Sequence, residues 1–493
     1  MSDSKRPNFL VIMSDEHGPM FSGTYGHPLV KTPNMDRLAR EGATFDAAYC
    51  NSPLCIPSRL SFMTGRHVSQ SKGWDNASPL PSDSMTWPYL LRSEGYDCAL
   101  SGKMHLIGTD KLHGFEKQLA SDPHSTPNKD ADPEEARKLD LPISGKHYVV
   151  RWDKGLQAQS RRDPWPSVVN AGPGTTPMIE ADDLIEQRAL EYLRDPSRRS
   201  QPFALCVGFV APHFPFVAPE PYFSMYYPEN VDMPEHPDGH LDNLPPGAQR
   251  LVDMYGFDQY SDDQILRARA AYYGLITYLD DKIGRLLDAL DETGLADNTV
   301  VVHTSDHGES LGQHNLWRKM NFYEESARVP LQIRWPGVVS GGQRITSATS
   351  LVDVTATIVE AAGVPSELRE LLQSDGDSLV PLLIGEESEW KDEAFSELLA
   401  HGTVTPSAMI RKGNWKLFYT HGDPPEIELY DLAADPGEFI NLADDPAYAD
   451  IRQRLISRIL KIWGDPDQMH REIVASQNMR YLIREVTGDD SPF

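Results

Sequence analysis

Only four cysteines, Cys50, Cys55, Cys98 and Cys206, occur in 493 residues. A chain this long with so few has no need of a disulfide framework. Basic residues are scarce as well: 46 Lys and Arg stand against 73 Asp and Glu, a net charge of −27. That balance excludes the broad basic face that nucleic acid or an anionic membrane requires. No apolar run is long enough to span a bilayer. The opening "MSDSKRPNFLVIM" lacks signal-peptide architecture, and its short apolar run reads as a first strand. A soluble, cytoplasmic protein with no nucleic-acid or membrane partner is the expectation. Familiar catalytic signatures are missing too. There is no G-x-S-x-G elbow and no H-E-x-x-H. "GYDCALSGKM" (95–104) fails as a P-loop, because six residues separate its glycines and Met104 stands where Ser or Thr is needed.

What is present suggests an α/β protein. Four short apolar runs read as buried strands: "NFLVIM" (8–13), "YDCALS" (96–101), "FALCVGFV" (203–210) and "NTVVVHTS" (298–305). Cys98 and Cys206 lie inside two of them, where a buried free thiol is expected. Helical patterns alternate with these runs. One, at 32–42, has Pro33 near its start and Gly42 at its end. Another, at 261–294, opens with Ser261 and Gln264 at capping-box spacing and stops at Gly294. Such alternation predicts a mainly parallel sheet with helices on both faces. Residues 120–175 and 215–250, rich in Pro and polar residues, read as insertions, with Trp152 and Trp165 as rim residues. From about residue 385 the pattern changes to a hairpin pair (409–421 and 427–432) and a helix (447–464). This predicts a catalytic domain over 1–384 and a smaller C-terminal α+β subdomain over 385–493.

Each of the four runs ends in a polar cluster. Asp15, Glu16 and His17 follow the first, and Lys103 and His105 the second. His213 follows the third, and Asp306 and His307 the fourth. In an open parallel sheet the carboxyl ends of the strands form the binding edge, so these segments are expected to meet. Asp15, Asp306 and His307 make a divalent-metal set. Carboxylate oxygens suit Ca²⁺, Mg²⁺ or Mn²⁺, and the imidazole shifts preference towards Mn²⁺ or Zn²⁺. Strand-end aspartates also cap turns, so spacing alone leaves both readings open. In "SPLCIPSRLSFMTGRH" (52–67), Pro57 and Gly65 bracket a helix with Cys55 at its N-terminus. The helix dipole there, with Arg59 and Arg66 around the same turn, is expected to lower the thiol pKa. A partly buried loop thiol is the alternative.

"CIPSRLSFMTGR" (55–66) resembles the sulfatase signature, in which a C-x-P-S-R core is followed by T-G-R. Other segments agree with that family along nearly the whole chain. "NFLVIMSDE" resembles its first metal strand, "SGKMH" (101–105) its G-K-x-H element and "TSDHGESLGQH" (304–314) its second metal segment. "KMNFYEESARVPLQIRWPG" (319–337) is similar to the stretch bearing a substrate lysine, and "GNWKLFY" and "ELYDLAADPGEFINLADDP" to the C-terminal subdomain.

The resemblance implies the alkaline-phosphatase-like α/β fold and a sulfuric ester hydrolase. It also implies one divalent metal ion, Ca²⁺ or Mn²⁺, and a formylglycine-generating maturation enzyme that oxidises Cys55 to an aldehyde. One hydroxyl of the hydrated aldehyde attacks sulfur. The other then loses its proton, and the hemiacetal expels sulfate by breaking C–O. By the same resemblance Asp15, Cys55, Asp306 and His307 hold the ion. Glu16 stands where many sulfatases have a second Asp ligand. Arg59 steadies the hydrate, and His105 is the base for its breakdown. Lys103, His213 and Lys319 bind sulfate oxygens, and Asp306 also protonates the leaving alcohol.

Asp306-His307 replaces the Asp-Asn of many sulfatases and is similar to phosphonate monoester hydrolases and choline sulfatases. "SGKMHLIGTDKLHGFE" (101–116) and "EIVASQNMRYLIREV" (472–486) also resemble choline sulfatases, and the latter implies a homo-oligomer. The expected substrate is a small or aryl sulfate ester. A phosphonate monoester or phosphodiester hydrolase using the same site is the alternative. A non-catalytic binding protein would have lost the nucleophile or a ligand, and all are present.

Overall fold

The computed structural model describes residues 6–123, 165–386, 389–403 and 405–487. Most of the insertion expected over 120–175, Trp152 included, lies outside the described residues. Among the described residues, eight strands form one sheet. In chain order they are β1 (Asn8–Asp15), β2 (Ala43–Phe45), β3 (Asp97–Gly102), β4 (Lys117–Ala120), β5 (Phe203–Pro212), β6 (Thr299–Ser305), β7 (Leu331–Arg334) and β8 (Gln343–Ile345). Their spatial order is β8-β2-β7-β6-β1-β5-β3-β4. The five from β6 to β4 run parallel. β7 is antiparallel to both its neighbours, and β8 pairs parallel with β2. The four apolar runs are thus β1, β3, β5 and β6, side by side at the centre.

Their continuous hydrophobicity follows from burial on both faces. In β1, Leu10 and Ile12 join a core with Ile185, Leu205 and Ile276, while Phe9, Val11 and Met13 join another with Ile56, Leu60 and Ile358. Seven helices matter here: α1 (Pro33–Glu41), α2 (Cys55–Thr64), α3 (Pro177–Arg194), α4 (Asp262–Thr293), α5 (Leu351–Ala361), α6 (Ala449–Trp463) and α7 (Pro466–Thr487). The first core takes residues of α1, α3 and α4, and the second those of α2 and α5. The capping box of α4 is formed. Gln264 N–H donates to Ser261 Oγ at 3.3 Å, and Ser261 N–H donates to Gln264 Oε1 at 3.0 Å. Gly294, at φ 68°, ends the helix in the left-handed region.

A second, antiparallel sheet follows in the order β9 (Glu393–Leu398), β10 (Ser407–Lys412), β11 (Trp415–Thr420), β12 (Glu426–Asp431). Leu455, Ile459 and Trp463 of α6 pack on it. All four cysteines are buried and free, with Cys98 and Cys206 in the core as expected.

One glycine fixes how β3 meets β5. Lys103 N–H donates to the Gly208 carbonyl at 2.8 Å. A Cβ on Gly208 would lie 1.8 Å from the Lys103 carbonyl oxygen. Gly208→Ala must therefore push Lys103 away from the binding edge. We expect it to cost about 1–3 kcal/mol, seen as a lowered Tm in calorimetry, with a parallel fall in kcat.

Candidate active site

The carboxyl ends of the four central strands converge as the pattern required. β1 delivers Asp15, and the chain turns at once, with Glu16 in the left-handed region at φ 64°. Past Gly102, β3 leads to Lys103 and to His105, also left-handed at φ 58°. The end of β5 supplies His213, and that of β6 supplies Asp306 and His307. α2 begins at Cys55, and Lys319 lies between Arg318 (φ 69°) and Met320 (φ 76°). Positive φ at non-glycine residues stores strain, which clusters where side chains must be aimed.

Asp15, Arg59, Asp306 and His307 are fully buried. Arg59 Nε donates to Asp306 Oδ2 at 2.8 Å, and Arg59 Nη1 to the Lys103 carbonyl at 2.8 Å. Lys103 Nζ pairs with Asp15 Oδ2. Burial alone would raise the Asp15 pKa, but Lys103, His213, Arg59 and His307 overcome it and hold the carboxylate far below its usual range. Cys55 Sγ lies 3.2 Å from His307 Nε2. The other ring nitrogen, Nδ1, lies 3.0 Å from the Gly308 carbonyl and so carries the proton. His307 is buried, which lowers its pKa and keeps Nε2 a lone-pair donor.

Around this set sits a second. Glu16 Oε2 accepts from Lys319 Nζ at 3.0 Å and lies 3.1 Å from His213 Nε2. Lys319 Nζ is also 3.1 Å from His213 Nε2. Burial, reinforced by Glu309 and opposed by Lys319, lifts Glu16 to about 8. His105 is buried, and its backbone N–H donates to Asp122 at 2.5 Å.

Ligand atoms of Asp15, Cys55, Asp306 and His307 all lie within 4.8 Å of one another, as do those of Asp15, Glu16 and His213. Asp15 Oδ1 is buried and accepts no hydrogen bond. An orphaned carboxylate oxygen facing an imidazole lone pair and a second carboxylate is a donor set that fits a divalent cation.

Three expectations need correction. The Cys55 thiol is not lowered. Burial pushes it up to about 11, with Lys319 and Lys103 only partly opposing. The helix terminus is real, but desolvation of the thiolate outweighs it. Arg66 lies beyond Gly65, past the far end of α2, roughly 15 Å along the axis from Cys55. Arg59 alone of the two reaches the site. The helix also starts at Cys55, two residues before Pro57.

The supporting contacts of several further residues were not read from the sequence. Ser58 Oγ donates to the Asp306 carbonyl at 2.6 Å. Tyr272 Oη donates to the Glu16 carbonyl at 2.6 Å from within α4. Glu309 Oε1 accepts from the N–H groups of Leu311 (2.9 Å) and Arg318 (2.5 Å). Asn76 Oδ1 accepts from Ile56 N–H at 3.0 Å, beside the nucleophile position. Ser58 and Glu309 stand within quoted motifs, where spacing gave a signal. Tyr272 and Asn76 had none.

The model of the Sulfatase family matches residues 7–364. The chain belongs to the sulfatase family. It is a sulfuric ester hydrolase with the alkaline-phosphatase-like fold. A second model, of the N-sulphoglucosamine sulphohydrolase C-terminal region, matches residues 312–464. A choline-sulfatase of Rhizobium meliloti is 37% identical over 459 residues, covering 90% of this chain and 83% of that one. The solved structure of a protein with its substrate D-glucosamine-2-N,6-O-disulfate superposes at a TM-score of 0.72 with 26% identity, covering 94% and 99%. The phosphonate monoester hydrolase of Agrobacterium radiobacter gives 0.70 and 25%, covering 93% and 95%. Sulfatases of this family generally use formylglycine and a divalent metal. No helix among the described residues is long and apolar enough to cross a membrane.

Proposed function

We propose that this sulfuric ester hydrolase cleaves a small sulfate monoester with Cys55, converted to formylglycine by a maturation enzyme, as nucleophile. The placement of Cys55 Sγ, 3.2 Å from His307 Nε2 inside the Asp15–Asp306–His307 cluster, carries this reading. A buried thiol pushed up to about 11 is a poor nucleophile as it stands. The aldehyde hydrate supplies one hydroxyl for attack on sulfur and a second whose deprotonation releases sulfate. A divalent cation, Ca²⁺ or Mn²⁺, held by Asp15, Cys55, Asp306 and His307 with Glu16 at its edge, supplies Lewis acidity and acidifies the nucleophile when bound.

The chain's own side chains do the rest. Arg59 Nη2 is buried without a hydrogen-bond partner, 3.8 Å from Asp15 Oδ2, and is the spare donor that steadies the hydrate. Lys103, Lys319 and His213 place N–H donors where the transition state spreads negative charge. Burial acts against the Lys319 ammonium, but Cys55, Glu16 and Asp15 leave its pKa raised, so it stays charged. His105 takes the proton in the release step, a role worth about 10²–10⁴ in rate. Asp306 accepts N–H groups from Arg59, Glu16 and His307 on its two oxygens. With both oxygens engaged in this way, we assign Asp306 to the cation and not to protonating the alcohol.

The three other cysteines, Cys50, Cys98 and Cys206, are buried free thiols that fit a reducing, cytoplasmic setting, and the resemblance of the tail to choline sulfatases supports a homo-oligomer. Chelation is expected to abolish turnover, with recovery on adding Ca²⁺ or Mn²⁺. An undiminished rate after verified metal removal would refute the cation site. The Asp306-His307 pair favours one second reading, a phosphonate monoester hydrolase. Matched nitrophenyl sulfate and phenylphosphonate esters decide it, and a kcat/KM higher for the phosphonate by orders of magnitude would establish that reading.

A further inference from the structure

Among the described residues, one cation beside the site lacks an acidic partner. Arg59 pairs with Asp306, Lys103 with Asp15 and Lys319 with Glu16. Among the described residues Arg318 forms no ion pair, in a chain of net charge −27. It sits instead among aromatic rings. Its guanidinium carbon is 4.5 Å from the ring centre of Trp165, 4.9 Å from Phe214 and 5.3 Å from Tyr255. Phe214 ties this box to the reaction centre. The same ring has Lys319 Nζ at 5.0 Å and stacks on His213 at 3.9 Å.

Three rings around a cation form the arrangement that binds quaternary ammonium groups. Here the chain fills it with its own guanidinium. A cationic alcohol would meet both occupied volume and like charge. Arg318 remains partly exposed, and its planar fork suits a carboxylate or sulfate. We propose that Arg318 is the specificity determinant for the alcohol half of the ester and selects an alcohol carrying a second anionic group. This rests on the proposed sulfate-ester reading and narrows it.

The test compares three nitrophenyl sulfates: one uncharged on the ring, one bearing a carboxylate and one bearing a sulfonate. The wild type is expected to favour the charged esters about 10- to 100-fold in kcat/KM, mostly through KM. Arg318→Met should bring that ratio close to one, and Arg318→Lys should keep part of it. The uncharged ester reports folding in each variant. A wild type without preference, or an Arg318→Met enzyme with an unchanged ratio, overturns the proposal. If no sulfate is turned over while the matching phosphonates are, the sulfate-ester reading fails, and the same ratio measured on phosphonates decides the role of Arg318.

Discussion

Cys55→Ala is expected to abolish sulfate-ester hydrolysis, lowering kcat by more than about 10⁴-fold, in a protein that still folds. The size follows from losing the attacking group itself; hydrogen bonding and charge around an empty position retain only a residual acceleration. Folding survives because only one sulfur is removed. Arg59, Asp15, Asp306 and Lys103 keep their mutual contacts without it. Circular dichroism and thermal melting check that part. The matching measurement on the active wild type is peptide mass spectrometry across residues 52–67, which should show an aldehyde at position 55, with sulfur replaced by oxygen and two hydrogens lost. A fully active preparation with an intact thiol there would refute the mechanism. Cys55→Ser should fail differently. Serine attacks once and is left as a stable sulfate ester, because it has no second hydroxyl to expel the product. At most one equivalent of alcohol is expected.

Arg480→Met is expected to produce the largest loss of stability, about 3–5 kcal/mol at neutral pH. Arg480 lies on α7, 405 positions from its partner. Its guanidinium donates to both oxygens of the fully buried Asp75, at 2.5 and 2.9 Å, and Gln477 adds a third bond at 3.2 Å. Burial would raise the Asp75 pKa, but Arg480 overcomes it and the pKa is lowered. A depressed carboxyl pKa stabilises the fold above its unfolded value and loses that contribution as pH falls through the folded one. In Arg480→Met the burial effect is opposed by weaker hydrogen bonds, among them those from Ala77 N–H and Gln477. The deficit should therefore be greatest near pH 7 and shrink as acid protonates Asp75. Urea titrations of both proteins between pH 4 and pH 8 measure this, and a deficit independent of pH would contradict it. Activity should fall too. Asn76, the next residue, caps the first turn of α2 through Ile56 N–H, so a displaced loop misplaces residue 55. Asp75→Asn combined with Arg480→Met should recover much of the lost stability, since it removes the buried charge.

Much of this was legible in the chain, for local reasons. The central strands were visible because a strand covered on both faces must be apolar at every position. The ends of α4 were visible because capping requires particular atoms at fixed offsets. The site residues of the signature were visible because Cys55, Ser58 and Arg59 lie within one helical turn of each other, so their spacing in sequence is their spacing in space. Strand-end placement of Asp15, Lys103, His213, Asp306 and His307 followed from the general geometry of parallel sheets.

Other features depend on what packs against what. Arg59 and Arg66 look equivalent in the sequence, yet the direction and length of α2 send one to Asp306 and the other past the opposite end. The thiol at a helix start looked acidified, and burial reversed that. Asp75 finds Arg480, Glu16 finds Lys319, and Arg318 finds three rings drawn from separate segments. By itself the sequence determined the four central strands, the ends of α4 and which polar residues follow each strand, because those rest on contacts between near neighbours and on chemistry carried by single residues. The tertiary structure alone decided the charge state of those groups and which cation each carboxylate holds, because solvation and ion pairing depend on atoms brought together from hundreds of residues apart.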